Sequence, residues 1–242
     1  MVRGVNVGKN QNFGKVCRMN PLIVVTGGTK GIGQAIVDRF VAERFDAVVC
    51  ARSVEDVTGP NRLPFAADLS TRAGVNALID YIRSLNRPVD VLVNNTGVFL
   101  PGQIQDEAEG TFEATMNTNV ASAYHLTRGL VKDMIARRQG HIFMMCSTAS
   151  ITAYTNGGSY CVSKFALLGM SRVLREELKP HGVKVTAILP GATLTASWEG
   201  TDLPDDRFMQ ATDVAATAWT AYTLSKSAVV EEILLRPQLG DI

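Results

Sequence analysis

Short unbroken apolar runs alternate along this chain with longer stretches whose apolar positions recur every three to four residues. Residues 22–26 form the first run, and 31–43 follow with Ile32, Ile36, Val37 and Phe40 on one helical face. Further runs at 47–51, 63–67, 89–93, 141–146, 183–189 and 229–235 predict strands. Periodic stretches at 71–85, 107–137, 159–179 and 213–224 predict helices, the second broken once and the last with Asp213 near its N-cap. The runs are continuously apolar rather than alternating, as strands buried on both faces must be.

Such a β-α-β-α order predicts an α/β domain: one Rossmann-type, doubly wound parallel sheet of about seven strands, with helices on both faces. Ligands bind such sheets at the carboxyl ends of the strands, near the point where strand order reverses. Thr26, Asn94, Ser147 and Pro190 all follow predicted strands, so they should meet on one edge.

The 242 residues fit one domain over 21–242 with no internal repeat or linker. Residues 1–20, rich in Gly, Asn and basic side chains and without periodicity, read as an appended or flexible segment. A formal charge of +1 with no basic block argues against nucleic acid and against a polybasic membrane anchor. No apolar stretch is long enough to span a bilayer. Cys17, Cys50, Cys146 and Cys161 form no CxxC pair and read as small core hydrophobes in a reducing, cytoplasmic setting. His125, His141 and His181 are scattered, so no catalytic metal is expected.

The chemistry sits in three places. Thr26-Gly27-Gly28-Thr29-Lys30-Gly31-Ile32-Gly33 joins the first strand to the first helix. Glycines there admit positive φ and let backbone approach a pyrophosphate, while the helix N-terminus offers unpaired N–H groups to the anion. Tyr160 and Lys164 lie one helical turn apart on one face, where the ammonium favours the phenolate. Ser147, thirteen residues before Tyr160 and just after a strand, is a neutral donor that can hold a carbonyl oxygen beside the phenol. Ser150 is its competitor.

In this order the motifs resemble the short-chain dehydrogenase/reductase family. Gly27-xxx-Gly31-Ile32-Gly33 is similar to its cofactor fingerprint, Asn94-Asn95-Thr96-Gly97 to its Asn-Asn-Ala-Gly segment, and Pro190-Gly191-xxx-Thr195 to its nicotinamide-side motif. The resemblance implies a nicotinamide cofactor with Ser147, Tyr160 and Lys164 as catalytic residues. Lys164 also holds the ribose, and Asn119 (with Asn117 as rival) orders a proton-supplying water chain. It further implies cofactor contacts from Thr26, Thr29, Ile32, Leu69, Asn95, Gly97 and Thr193, and from Ile188 and Gly191 backbone with Thr195. The helices at 107–137 and 159–179 should pair across a dimer axis, giving a homodimer or homotetramer.

Charge discriminates between NAD and NADP. Nineteen residues past Gly33 the chain carries Arg52, where a carboxylate would repel a 2′-phosphate. Lys30 adds a second cation and Ser53 a hydroxyl, so NADP(H) is expected. Asp68 either contacts the adenine edge, as the resemblance implies, or caps the helix beginning near Thr71.

The substrate side is less specific. Trp198, Phe208 and Met209 form either an apolar wall or ordinary packing. Asp202, Asp205 and Asp206 make that loop acidic, whereas Arg137, Arg138, Lys179 and His181 could make a basic rim for a carrier protein. The nearest general resemblance is to 3-oxoacyl-carrier-protein reductases, from which the tail at 229–242 departs. The expected activity is NADP(H)-dependent reduction of a small-molecule carbonyl, a 3-oxoacyl thioester included. The alternatives are a dehydrogenase of small hydroxy acids or sugars and a non-catalytic NADP-binding regulator.

Overall fold

The computed structural model describes residues 19–198 and 200–242. The appended segment expected over 1–20 therefore lies, apart from Met19 and Asn20, outside the described residues.

Seven parallel strands form one sheet in the order β3-β2-β1-β4-β5-β6-β7. They are β1 (Leu22–Thr26), β2 (Asp46–Ala51), β3 (Arg62–Ala66), β4 (Val91–Asn94), β5 (Gly140–Met145), β6 (Val183–Pro190) and β7 (Glu232–Leu235). The helices are α1 (Gly31–Ala42), α2 (Arg72–Ser84), α3 (Thr111–Met116), α4 (Ser122–Arg137), α5 (Gly158–Leu178) and α6 (Ala211–Thr223).

Alternate side chains of each central strand feed opposite faces. Leu22, Val24, Leu92 and Ile142 pack under α2, α4 and α5. Ile23, Val25, Val93 and Phe143 pack under α1 and α6. On the α1/α6 face Phe40 meets Phe45 and Trp219 edge-on, with ring centroids 5.1 and 5.2 Å apart. Truncating Phe40, which is fully buried, costs about 3–5 kcal/mol by the usual burial-plus-cavity reckoning. Pro64 is tolerated because β3 is an edge strand and needs no donor on its open side.

Several expectations shift by local chemistry. The helix expected from 107 starts at Thr111, after the left-handed Gly110. Its break is a one-turn π-helical widening over Asn117–Ala121. Asp213 does lie near the N-cap of α6, at its third position, although the helix begins at Ala211 rather than 213. The cap itself is Gln210, whose backbone N–H donates to the Asp213 carboxylate at 3.1 Å.

The basic rim is overturned. Arg137 and Arg138 end α4 just before β5 begins, and Lys179 and His181 end α5 just before β6 begins. Both helices run back from the carboxyl edge of the sheet, so these cations lie at the amino edge, away from the strand ends that bind ligands. They are also engaged: Arg137 with Asp90 at 3.5 Å, Arg138 with the Pro180 carbonyl at 2.9 Å, and Lys179 with Glu176.

His141, at the start of β5, is buried and stacked on Phe143 with centroids 4.0 Å apart. The Thr186 hydroxyl donates to the Val230 carbonyl, so it accepts from His141 Nε2 at 2.8 Å, and Nδ1 has no partner. A proton on Nδ1 would be an unsatisfied buried charge. Burial, with the Lys184 cation adding to it, pushes this imidazole down to about 3.

Candidate active site

Strand order reverses at β1: the path through α1 leads to β2 on one side, while β4 flanks β1 on the other. A cleft of about 1090 Å³ opens along the carboxyl edge at this switch point. The first turn of α1 faces it, and the N-cap residue Lys30 supplies no side-chain cap for those amides. Gly27 and Gly31 adopt φ of 62° and 52°. A Cβ on Gly33 would stand 2.1 Å from the Gly27 carbonyl oxygen, and one on Gly31 would stand 2.9 Å from Thr195. Only glycine permits this turn, and its backbone is left bare toward the cleft.

Two groups make the turn rigid. Asn95 Nδ2 donates to the carbonyls of Thr26 and Gly27 at 2.9 and 3.0 Å. The Gly27 N–H donates to Cys50 O at 2.7 Å. Thr26 is not a lining residue. It is buried, and its hydroxyl accepts from the N–H groups of Asn95 and Thr96 while donating to Val93 O, which locks β1 to β4. The lining here comes from Thr29, Lys30, Ile32, Leu69, Asn95 and Gly97.

Arg52 and Ser53 line the same end, beyond β2. Asp56, with no motif to announce it, lines this end too, and Glu55, outside the lining, accepts a hydrogen bond from the Ser53 hydroxyl. Asp68 lines the cleft and does not cap α2. The cap is Thr71, whose hydroxyl accepts from Gly74 N–H at 3.0 Å. Hydrogen bonds from Ser70, with Arg52 adding attraction, hold the Asp68 carboxyl below the usual carboxylate range.

Ser147, Tyr160 and Lys164 line the far end. Ser147 follows β5 in extended conformation, and its oxygen accepts from the Ala149 N–H at 3.1 Å, leaving its O–H free to donate. Ser150, the competitor, is buried and accepts from the Ser147 N–H. Lys164 is buried to 6% exposure. One of its three N–H groups goes to Met145 O at 2.9 Å, and its ammonium stands 5.6 Å from the Tyr160 ring centroid. Phe99 meets Tyr160 edge-on at 4.9 Å.

Asn119 belongs to the π-helical turn and does not line the cleft. Its amide accepts from Val98 N–H at 2.7 Å and donates to Val98 O and Ser163 Oγ. It thereby ties the segment after β4 to α5, and its side chain has little left for water. Its rival Asn117 does not line the cleft either, whereas Thr118 does.

On the β6 side Pro190, Gly191, Thr193 and Thr195 line the cleft. The backbone roles expected of Ile188 and Gly191 need correction. The Gly191 N–H is already bonded to Leu235 O at 2.8 Å, and the buried Ile188 accepts from Cys146 N–H. Trp198 lines the cleft, while Phe208 and Met209 are buried packing residues.

Some site-forming residues carried no sequence signal. Gly157 gives α5 no side-chain cap. Instead Glu107 reaches in from the segment after β4 and accepts from both the N–H (2.7 Å) and the hydroxyl of Ser159, next to Tyr160. Gly158 leaves room for that carboxylate. Asp241 and Ile242 line the cleft from the tail, with Asp241 paired to Arg236.

The family model for short chain dehydrogenase matches residues 21–204. The chain belongs to this family. Sepiapterin reductase of Chlorobaculum tepidum is 34% identical over 93% of this chain and 99% of that protein. The NAD-dependent glycerol dehydrogenase of Listeria innocua is 30% identical over 88% of this chain and 90% of its own. Among solved structures, a metagenomic short-chain oxidoreductase in complex with NADP superposes with a TM-score of 0.79 at 27% identity, covering 91% of this chain and 98% of its own. This short-chain dehydrogenase is thus an oxidoreductase of a family that uses a nicotinamide cofactor, and the bare glycine turn and uncapped α1 fit the cofactor's pyrophosphate.

The remaining chemistry of the described residues is quiet. No group of three His, Cys, Asp or Glu side chains could hold a metal ion, and no helix is long and apolar enough to cross a membrane. Burial pushes the Cys50 and Cys146 thiols up to about 12 and about 11, which keeps them protonated and unreactive. Burial, with Tyr160 nearby, also pushes the Tyr154 phenol up, so Tyr154 remains a neutral hydroxyl.

Proposed function

We propose that this short-chain dehydrogenase is an NADP(H)-dependent reductase that turns a small-molecule carbonyl into a secondary alcohol. The observation that carries this reading is a single cleft with Arg52 and Lys30 at one end and Ser147, Tyr160 and Lys164 at the other. When bound, the cofactor supplies the hydride to the carbonyl carbon. The Tyr160 hydroxyl gives its proton to the carbonyl oxygen as negative charge develops there. Ser147 donates a hydrogen bond to the same oxygen and fixes its position. Lys164, held by Met145 O, places its charge beneath the phenol and has two N–H groups left for the cofactor ribose.

The preference for the phosphorylated cofactor rests on Arg52 and Lys30, and the relative crystallised with NADP supports it. The sepiapterin reductase relative supports the reductive direction. A second reading, oxidation of a small polyol or hydroxy acid, is favoured by the glycerol dehydrogenase relative. A homodimer or homotetramer is part of the proposal: Tyr124, Phe165 and Val173 leave apolar surface exposed on α4 and α5. The experiment is NADPH oxidation followed by absorbance across 3-oxoacyl thioesters, diketones, quinones and aldehydes. Turnover of one class is the expected result. Tight NADP binding with no turnover of any of them points to a non-catalytic NADP-binding regulator.

A further inference from the structure

The two ends of the cleft differ in the cations they offer. The cofactor end carries Lys30 and Arg52, together with the carboxylates Asp56 and Asp68. Three segments border the Tyr160 end: 96–110 after β4, 148–157 after β5 and 192–206 after β6. None of the three contains a lysine, arginine or histidine. Their charged residues are all acidic (Asp106, Glu107, Glu109, Glu199, Asp202, Asp205 and Asp206), and none of the described ones lines the cleft. The walls contributed there are aromatic or neutral: Phe99, Tyr154 and Trp198, with Thr152, Thr155 and Asn156 between them. Lys164 is the only cation among the described residues lining this end, and it is committed to Met145 O and placed beneath Tyr160. Arg236 is neutralised by Asp241, and Arg207 does not line the cleft.

A carboxylate or phosphate on the substrate would lose water on entering this end and find no cation to replace it. That loss is costly when no opposite charge replaces the water. An aromatic or cationic body meets the opposite situation, because Phe99, Tyr154 and Trp198 put aromatic side chains along the wall.

Building on the oxidoreductase reading above, we infer that this site takes carbonyl or alcohol substrates that are neutral or cationic beside the reacting carbon, and rejects anionic ones. Hydroxy acids and thioesters borne on an acidic carrier protein therefore fall outside its range. Planar, uncharged ketones and aldehydes fall inside it.

The test uses one phenyl ketone in three forms: 4-oxo-4-phenylbutanoate, its methyl ester, and the ammonium-bearing 3-(dimethylamino)propiophenone. The ester and the ammonium ketone are expected to exceed the carboxylate in kcat/KM by about tenfold or more, the scale of one weakly screened charge contact. The gap should narrow at about 0.5 M salt, where screening shortens to a few ångströms. Thr152→Arg should raise the carboxylate relative to the ester. The same ligands are titrated into the NADP-loaded protein by fluorescence of Trp198 in a Trp219→Phe background, which reads binding without turnover. Equal or better use and binding of the carboxylate overturns the inference. Absence of turnover with all three, with the binding order intact, instead counts against the catalytic reading and upholds this one.

Discussion

The two ends of the cleft are built by opposite means. The cofactor end is backbone: a glycine turn held by Asn95 and Cys50, with cations at its margin. The Tyr160 end is side chain: a buried lysine, a phenol, a serine and three aromatic walls drawn from loops far apart in sequence. A backbone cradle suits an invariant ligand such as a pyrophosphate. Side-chain walls can be changed one residue at a time without disturbing the turn, which is how one cofactor site can serve different substrates.

Four perturbations separate the two ends, and the strongest comes first. Acid should make both ends fail together, through the scaffold. His141 is pushed down to about 3 when folded and titrates near its ordinary 6.5 when unfolded. Above 6.5 it is neutral in both states and its full contribution is present. As pH falls toward 3 the unfolded chain takes up the proton, and about 4–5 kcal/mol of stability is lost. His141→Gln should flatten that slope in denaturant titrations from pH 7 to 4; an unchanged slope would place the acid sensitivity elsewhere.

Gly33→Ala should damage the cofactor end alone. The added carbon would lie 2.1 Å from Gly27 O, so the turn must open, and NADPH binding by calorimetry should weaken by about 100-fold. Retained affinity would mean that the turn does not hold the pyrophosphate. Arg52→Asp should cost about 2 kcal/mol for NADPH and little for NADH, since it removes one charge-assisted contact to a 2′-phosphate. Equal loss for both cofactors removes the charge argument.

The smallest effect belongs to the Tyr160 end. Glu107→Ala removes the only side-chain cap of α5 among the described residues, and should cost about 1 kcal/mol of stability. It should lower kcat more than it weakens NADPH binding. Glu107→Gln, which can still accept from Ser159, should recover most of both; no recovery would show that the charge matters rather than the clasp.

The contrast also explains what the sequence could reveal. Apolar runs marked all seven strands, the five inner ones because they are buried by their neighbours, while the edge strands β3 and β7 are only partly covered. The glycine turn was legible because its φ values and close approaches admit no other residue. Ser147, Tyr160 and Lys164 were legible through spacing on a strand end and a helix face. Glu107, Asp56 and Asp241 were not, because their partners are set by loop paths with no periodicity. The basic patch of Arg137, Arg138, Lys179 and His181 misled for a related reason: charge was visible, but the direction of α4 and α5 decides which sheet edge receives it. Asn119 was found, yet its buried amide bonds to Val98 and Ser163 could be read only from the packed structure.

The most direct measurement is a paired one on Tyr160→Phe: NADPH affinity by calorimetry, and single-turnover reduction of the best carbonyl found in the substrate panel. The account predicts wild-type cofactor affinity, with reduction slowed by about 1000-fold once the proton donor is gone. Near-normal reduction by Tyr160→Phe would contradict it.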